Sequence, residues 1–460
     1  MSDLIADLRG LLDDKGVLTG DAVSERMIHV WYQRPIEALC IVRPRTTGEV
    51  AAVLALCQRH GQSVIPHGGL TGLVQGCNTT PADVVLSLER MNAIEEIDPV
   101  GRTMTVQAGV PLQVLQETAE QHGLMFPLDL GARGSCQIGG NVSTNAGGNR
   151  VIRFGMTRDN VLGLEAVLAD GTVVSSLNTM IKNNAGYDLK HLFIGTEGTL
   201  GIITRVVIRL REAPRGLSTA FAAFDSFDQL TRFLRYVDRE LGGALCAFEA
   251  MWRDYYELVT TAPADNARPV PLDYPNYVLL EALTRGSAED VAMFEDIMGR
   301  ALEDGLLADA AVAQSETDRR AMWRIRDSVD QFFRYGPAFL YDVSLGIRFM
   351  DSYVAEVKQR LSACWPQHHC FTLGHIGDGN IHFAINVGDD GEAAHAQVNA
   401  CVYEPLAPVG GSVSAEHGIG TEKRDYLALS RSPAEIELMR RVKQALDPRG
   451  ILNPGKIFSA

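Results

Sequence analysis

The sequence predicts an α+β protein built from more than one domain, and three observations lead there. Short β-rich runs alternate with helices over residues 41–210. A second stretch, 215–408, mixes amphipathic helices with further strands. The 460 residues exceed what one hydrophobic core ordinarily organises, so two or three domains are expected.

In chain order, Thr46 with Glu49 forms a capping-box pattern, Val50, Val53, Leu54 and Cys57 follow at helical spacing, and Gly61 ends the helix. Strands are expected at 63–65, 84–88, 103–108, 161–169 and 201–210, where β-branched residues cluster. In the second stretch, helices are expected at 227–241, 288–306, 315–333 and 351–363, and strands at 277–283 and 370–373. A last helix is expected near 432–446, followed by Asp447-Pro448-Arg449-Gly450, a tail stiff enough to dock against something.

Composition removes several function classes. Lys and Arg number 42 against 57 Asp and Glu, a net charge of −15 without a basic face, which argues against nucleic acid. The eight cysteines include no C-x-x-C pair, so they read as reduced thiols of a cytoplasmic protein. Residues 1–20 carry Asp3, Asp7, Asp13 and Asp14 rather than a basic-then-apolar leader, and no apolar run reaches the roughly 18–20 residues of a membrane span.

Glycine clusters in the first half. Pro66-His67-Gly68-Gly69-Leu70-Thr71-Gly72 follows a strand directly, and glycine lets backbone N–H groups approach a pyrophosphate without a side chain between. The nicotinamide-type pattern of strand, G-x-G-x-x-G and helix is not met here. Residues 131–148 hold six more glycines around Ile138 and Val142 and read as backbone shaped on a ligand rather than a linker.

Residues 66–73 resemble the P-x-G-G-x-T-G-L pyrophosphate loop of the vanillyl-alcohol-oxidase/p-cresol-methylhydroxylase superfamily of FAD enzymes. Leu128-Asp129-Leu130-Gly131, Ile138-Gly139-Gly140-Asn141-Val142-Ser143-Thr144-Asn145-Ala146-Gly147-Gly148, residues 155–164, Asn184-Ala185-Gly186-Tyr187-Asp188-Leu189 and residues 195–204 resemble its later segments. The resemblance implies a two-lobed FAD-binding domain over 36–214, preceded by an N-terminal helical segment, 1–35. A ferredoxin-like α/β substrate domain would span 215–415, and a C-terminal helical segment, 416–460, would pack back on the FAD domain. It places FAD against Pro66, His67, Gly68, Gly69, Leu70, Thr71, Gly72, Leu128, Gly131, Ser135, Ile138, Gly139, Gly140, Asn141, Ser143, Thr144, Ala146, Gly147, Gly148, Glu197, Gly201, Ile202 and Asn453. Members that bond flavin covalently carry His after the paired glycines. Leu70 stands there, so FAD is expected to be non-covalent, with Cys77 and Cys136 lining the pocket rather than forming a thioether.

In the second stretch, Gly374-His375-Ile376-Gly377-Asp378-Gly379-Asn380-Ile381-His382 holds two histidines seven apart, which a straight strand would point to opposite faces. A turn at Gly377-Asp378-Gly379 would let them converge. Ala415-Glu416-His417-Gly418 follows, and two imidazoles with a carboxylate form a common catalytic zinc set. Both segments resemble signatures of the superfamily's D-2-hydroxyacid dehydrogenase branch. That implies His375, His382 and Glu416 as ligands of Zn²⁺ or another divalent metal such as Mn²⁺ or Fe²⁺, with Asn380, Arg326 and His417 facing the substrate. His417 would be the general base, or else the third ligand with Glu416 as base. His368-His369-Cys370 reads as incidental, because adjacent side chains on a strand point apart.

The expected reaction oxidises a D-2-hydroxy acid to the 2-oxo acid by hydride transfer to flavin N5. Members acting on D-2-hydroxyglutarate carry a Ser/Thr and a Lys for the distal carboxylate, where this sequence has Asp330 and Leu340, so D-lactate or a longer apolar acid is favoured. With no iron–sulfur or haem motif, electrons would leave to a quinone, an electron-transfer flavoprotein or a cytochrome. The family often forms homodimers. A D-2-hydroxyglutarate dehydrogenase, a metal-independent FAD oxidase and a non-catalytic flavin-binding electron-transfer subunit are the competing readings.

Overall fold

The computed structural model describes residues 2–28 and 33–459. Residues 1 and 29–32, part of the expected segment 1–35, lie outside the described residues. The chain divides into two compact units, the first comprising Met1–Gly148, Gly155–Ala213 and Glu416–Ala460, the second Asn149–Phe154 and Pro214–Ala415. No described helix is long and apolar enough to cross a membrane.

The first unit carries two larger sheets besides the two-stranded pairings of Met27–Ile28 with Arg34–Pro35 and of Leu124–Met125 with Arg211–Glu212. In one, Cys40–Val42 and Val64–His67 run parallel to Val84–Ser87, and the edge pair Val17–Leu18 is antiparallel. The parallel strands need a crossover, which the helix Thr47–His60 supplies: Thr46 Oγ1 accepts the Glu49 N–H, and Gly61 ends it at φ +65°. The other sheet is antiparallel, ordered Val173–Ser176, Val161–Val167, Ile202–Arg209, Thr103–Gln107, Ile94–Asp98. The glycine-rich stretch 131–148 contains a helix, Ile138–Thr144. Gly139 and Gly140 disfavour it by about 1 kcal/mol each. Ile138 and Val142, one turn apart and 0% exposed, gain roughly 1.5–3 kcal/mol each on burial, so packing wins.

The segment after Pro433–Leu446 returns to the parallel sheet. Val64 donates its N–H to Ile451 O at 2.8 Å, and Asn453 N–H donates back to Val64 O at 2.9 Å. Lys443 locks this segment, donating from Nζ to Thr199 O and Leu452 O, both at 2.8 Å, and pairing with Asp447. Asp447, 1% exposed, also accepts the N–H groups of Ile451 and Leu452. Burial lowers the Lys443 pKa against the pull of Asp447.

The second unit is built on a seven-stranded antiparallel sheet ordered Asp309–Val312, Gly216–Phe224, Asn276–Thr284, Leu245–Trp252, His369–His375, Asn380–Asn386, Phe339–Ser344. Every residue of Leu245–Trp252 is buried, as expected of a central strand covered on both faces. The helix expected over 315–333 stops at Asp327, and Val329–Phe333 continues as a 3-10 helix. Ser328 causes the break. Its hydroxyl donates back to Arg324 O at 2.7 Å and accepts from Asn266 Nδ2 at 2.9 Å, with ψ at +42°.

Replacing Lys443 by Met leaves the buried Asp447 carboxylate without its cation. The change is expected to destabilise the first unit by about 3 kcal/mol, the usual cost of breaking a buried pair from one side. It should appear as a lower urea midpoint at unchanged m-value.

Candidate active site

In the first unit a cleft is lined by Pro66, His67, Gly68, Gly69, Leu70, Thr71 and Gly72, by Gly139, Gly140, Asn141, Ser143 and Thr144, and by Glu197, Gly201, Ile202 and Asn453. His417 lines the same cleft. The loop leaves the strand Val64–His67 with His67 Nε2 on Cys77 O at 2.9 Å, and Leu70 takes φ +59°. Among the described residues, no protein group accepts the backbone N–H of Gly68, Gly69, Leu70, Thr71 or Gly72. Such a run of outward N–H groups suits phosphate oxygens.

Three buried side-chain oxygens at the cleft, Gln137 Oε1, Asn141 Oδ1 and Asn453 Oδ1, also have no protein partner. Buried polar atoms are rarely left so, and a dinucleotide with ribose, ribityl and ring donors answers all three. Cβ-free backbone makes the cradle. A Cβ on Gly69 would lie 2.0 Å from Ser135 O, one on Gly139 2.6 Å from Ala108 Cβ, and one on Gly198 2.6 Å from Pro66 Cγ. These residues fit FAD.

The other expected flavin residues, Leu128, Gly131, Ser135, Ile138, Ala146, Gly147 and Gly148, are not among those lining the cleft. Leu128 and Ile138 are core, and Ala146 O accepts the Thr157 N–H and hydroxyl. Ser135 presents the carbonyl that Gly69 abuts, Gly131 has open space, and Gly148, at φ +147°, sits against Asp129 O. A Cβ on Gly147 would lie 2.4 Å from Glu416 Oε2. Cleft residues not read from the sequence include Val74, Gly76, Leu88, Ala108, Gln137 and Ile203. Cys77 and Cys136 line the cleft, and burial raises both thiol pKa values.

The second unit carries a polar constellation on one face of its sheet. His369–His375 and Asn380–Asn386 are antiparallel, joined by a 3-10 turn, Ile376–Asp378, and by Gly379 at φ +89°. The turn brings the imidazoles of His375 and His382 to 5.2 Å between centroids at 86°. His375 Nδ1 lies 2.7 Å from Glu249 Oε1, and Arg326 Nε donates to Glu249 Oε2 at 2.9 Å. Arg326 Nη2 stands 3.4 Å from His375 Nε2. Burial alone would raise the Glu249 pKa, but His375 and Arg326 hold it below the usual carboxylate range. A carboxylate on Nδ1 orients the ring and leaves Nε2 as the coordinating atom, the usual support of a metal-ligating histidine.

Asp342, 0% exposed, lies opposite His382 in register, 3.9 Å from its Nδ1. It accepts from Asn380 Nδ2 at 2.7 Å, Ser414 Oγ at 3.2 Å and Ala415 N at 3.0 Å. Ala415 is the chain neighbour of Glu416. Asn380 Oδ1 is buried without a protein partner. Of the two expected histidine ligands, His382 lies beside the Asp342 carboxylate, whereas His375 is held to Glu249. The helix Glu316–Asp327 is held over this face at three points: Arg319 and Trp323 donate to Glu281 at 3.0 and 2.9 Å, and Arg326 to Glu249.

Glu249, Asp342 and Glu281 were not read from the sequence. Their signal was available, since each is a lone carboxylate inside an apolar strand run, which survives only with buried partners. Leu340 packs on the cluster holding Phe332, Phe371 and Ala384, and Asp330 is exposed. His369 stacks on Tyr335 at 3.8 Å between centroids, away from any metal arrangement.

Gly69→Ala is expected to strip flavin from the purified protein, because Ser135 O occupies the space of the new methyl. Gly72→Ala, with nothing within 4 Å of its Cβ position, should retain it. Flavin absorbance per chain distinguishes the two, and equal content would contradict the cradle.

Residues 213–457 match the family model "FAD linked oxidases, C-terminal domain", and residues 38–176 match "FAD binding domain". The chain is 40% identical over 419 residues to D-2-hydroxyglutarate dehydrogenase, mitochondrial, of Bos taurus, covering 91% of this chain and 76% of that protein. It is 36% identical over 466 residues to D-2-hydroxyglutarate dehydrogenase of Stutzerimonas stutzeri, covering 99% of each. The solved structure of p-cresol methylhydroxylase with substrate bound is similar in fold, with a TM-score of 0.76 at 16% identity over 100% of this chain and 97% of that one. The chain therefore belongs to the FAD-linked oxidases of the p-cresol-methylhydroxylase fold, in their D-2-hydroxyacid dehydrogenase branch.

Proposed function

We propose that this protein oxidises a D-2-hydroxy monocarboxylate, with FAD as hydride acceptor and a divalent metal, zinc first among candidates, held by His375, His382 and Glu416. The observation that carries the reading is the pair of perpendicular imidazoles, His375 and His382, set beside the buried carboxylates Glu249 and Asp342. Bound FAD supplies the two-electron acceptor at N5, and a bound cation supplies Lewis acidity that lowers the hydroxyl pKa of a chelating substrate.

The chain's own groups do the rest. Arg326, its Nε fixed by Glu249, offers its remaining guanidinium N–H groups to the substrate carboxylate. Asn380, whose buried Oδ1 has no hydrogen-bond partner among the described residues, faces the substrate. An imidazole nitrogen of His417 takes the hydroxyl proton as the Cα hydride leaves. An external quinone, electron-transfer flavoprotein or cytochrome would serve as the final electron acceptor.

Leu340 supports an apolar side chain on the substrate. It lies two residues from Asp342 on the same strand, opposite Ala384, and packs against the cluster that holds Phe332 and Phe371. No cation stands in that row to hold a second carboxylate, although the relatives are named for 2-hydroxyglutarate.

Anaerobic mixing with D- and L-2-hydroxy acids should bleach the flavin with D-lactate or a longer apolar D-acid. A flavin unbleached by every acid would favour an electron-transfer subunit. EDTA should abolish reduction and zinc restore it, whereas a metal-independent oxidase would keep full activity. His417→Ala should retain flavin and metal yet reduce roughly 10²-fold more slowly, the usual size of a lost general base. Leu340→Lys should shift preference towards D-2-hydroxyglutarate, read as the ratio of kcat/KM values.

A further inference from the structure

Glu197 has no part in the chemistry above, yet it joins three segments of the first unit. It is 8% exposed and adopts φ +53°. Its N–H donates to Ser143 O at 2.8 Å, and its carbonyl accepts from Asn453 Nδ2 at 2.7 Å. Its carboxylate turns to the loop after His417: Oε1 accepts the Ile419 N–H at 2.7 Å and Oε2 the Gly420 N–H at 2.8 Å.

The loop is shaped to receive that carboxylate. Gly418, at φ +93°, would place a Cβ 2.9 Å from Glu197 Oε1, so a side chain there would push the acceptor away. Gly420, at φ +54°, would place one 1.8 Å from Val74 O, which also accepts the Thr421 N–H. Two hydrogen bonds from consecutive amides fix the position and orientation of the carboxyl group, and they offset in part the burial that raises the Glu197 pKa. His417, two residues before the first of these amides, lines the flavin cleft.

We propose that Glu197 is a positioning residue for His417, clamping the Ile419 and Gly420 amides so that the imidazole is held at the flavin cleft. The role rests on reading His417 as the base. It differs from the flavin contact that the family resemblance implies for Glu197, because the carboxylate is committed to the loop.

The test is Glu197→Gln in the flavin-loaded enzyme, since glutamine keeps the shape but turns an NH₂ towards one of the two amides. Flavin content should stay near one per chain. Hydrogen exchange at Ile419 and Gly420 should rise about tenfold or more, with the strand Leu245–Trp252 unchanged. Flavin reduction should slow roughly 10- to 100-fold, the range for a misplaced catalytic group, with KM nearly constant. In a His417→Ala background the same substitution should slow reduction no further. Unchanged exchange, or a full multiplicative loss on top of His417→Ala, overturns the proposal. If His417→Ala alone has no effect, the base assignment fails, while the exchange measurement still decides whether Glu197 clamps the loop. Should the glutamine variant not fold, Glu197→Asp, too short to span both amides, carries the same readouts.

Discussion

Main chain meets main chain in the first unit at separations that no side chain would permit, and the flavin cleft depends on it. Gly69 lies against the Ser135 carbonyl, Gly139 against Ala108, and Gly420 against the Val74 carbonyl. Each contact brings a different stretch of sequence to the cleft: the 66–72 loop, the helix Ile138–Thr144 and the loop after His417. Glycine is costly in conformational entropy, so the arrangement must be offset by burial elsewhere. The large aliphatic core that runs from Leu4 to Leu452 supplies that burial.

The second unit solves a different problem. Its sheet carries Glu249 and Glu281 on buried inner strands and a buried Asp342 on the edge strand Phe339–Ser344. A buried carboxylate is tolerated only when its lone pairs are met, and each of these is met several times over. Glu281 alone accepts from Arg150, Arg319, Trp323 and Thr219. The result is a polar face whose groups are oriented before any ligand arrives, which is what electrostatic catalysis requires.

Much of this was legible in the sequence, for identifiable reasons. Caps such as Thr46 with Gly61 are local and read directly, as was the glycine turn that folds His375 onto His382. The helix Ile138–Thr144 was not, because long-range burial of Ile138 and Val142 overrides local glycine preference. Nor was the break at Ser328, which takes a partner, Asn266, 62 residues away. Glu249 and Asp342 lie outside the clustered motifs, and their only local signal is isolation: one charge in an otherwise apolar strand. The clamp by Glu197 spans 223 residues to Gly420, and no spacing rule reaches so far.

The order of the chain has a further consequence. The first unit is discontinuous: the whole of Pro214–Ala415 is synthesised between its sheets and its final segment, Glu416–Ala460. That segment contributes His417 and Asn453 to the cleft and pairs with Val64 in the parallel sheet. A nascent chain can form the phosphate loop early, but the wall that carries His417 and Asn453 is made only after the whole of the second unit. The cleft thereby waits on synthesis of the second unit, and a chain ended within Pro214–Ala415 carries the glycine-rich loops without His417 and Asn453.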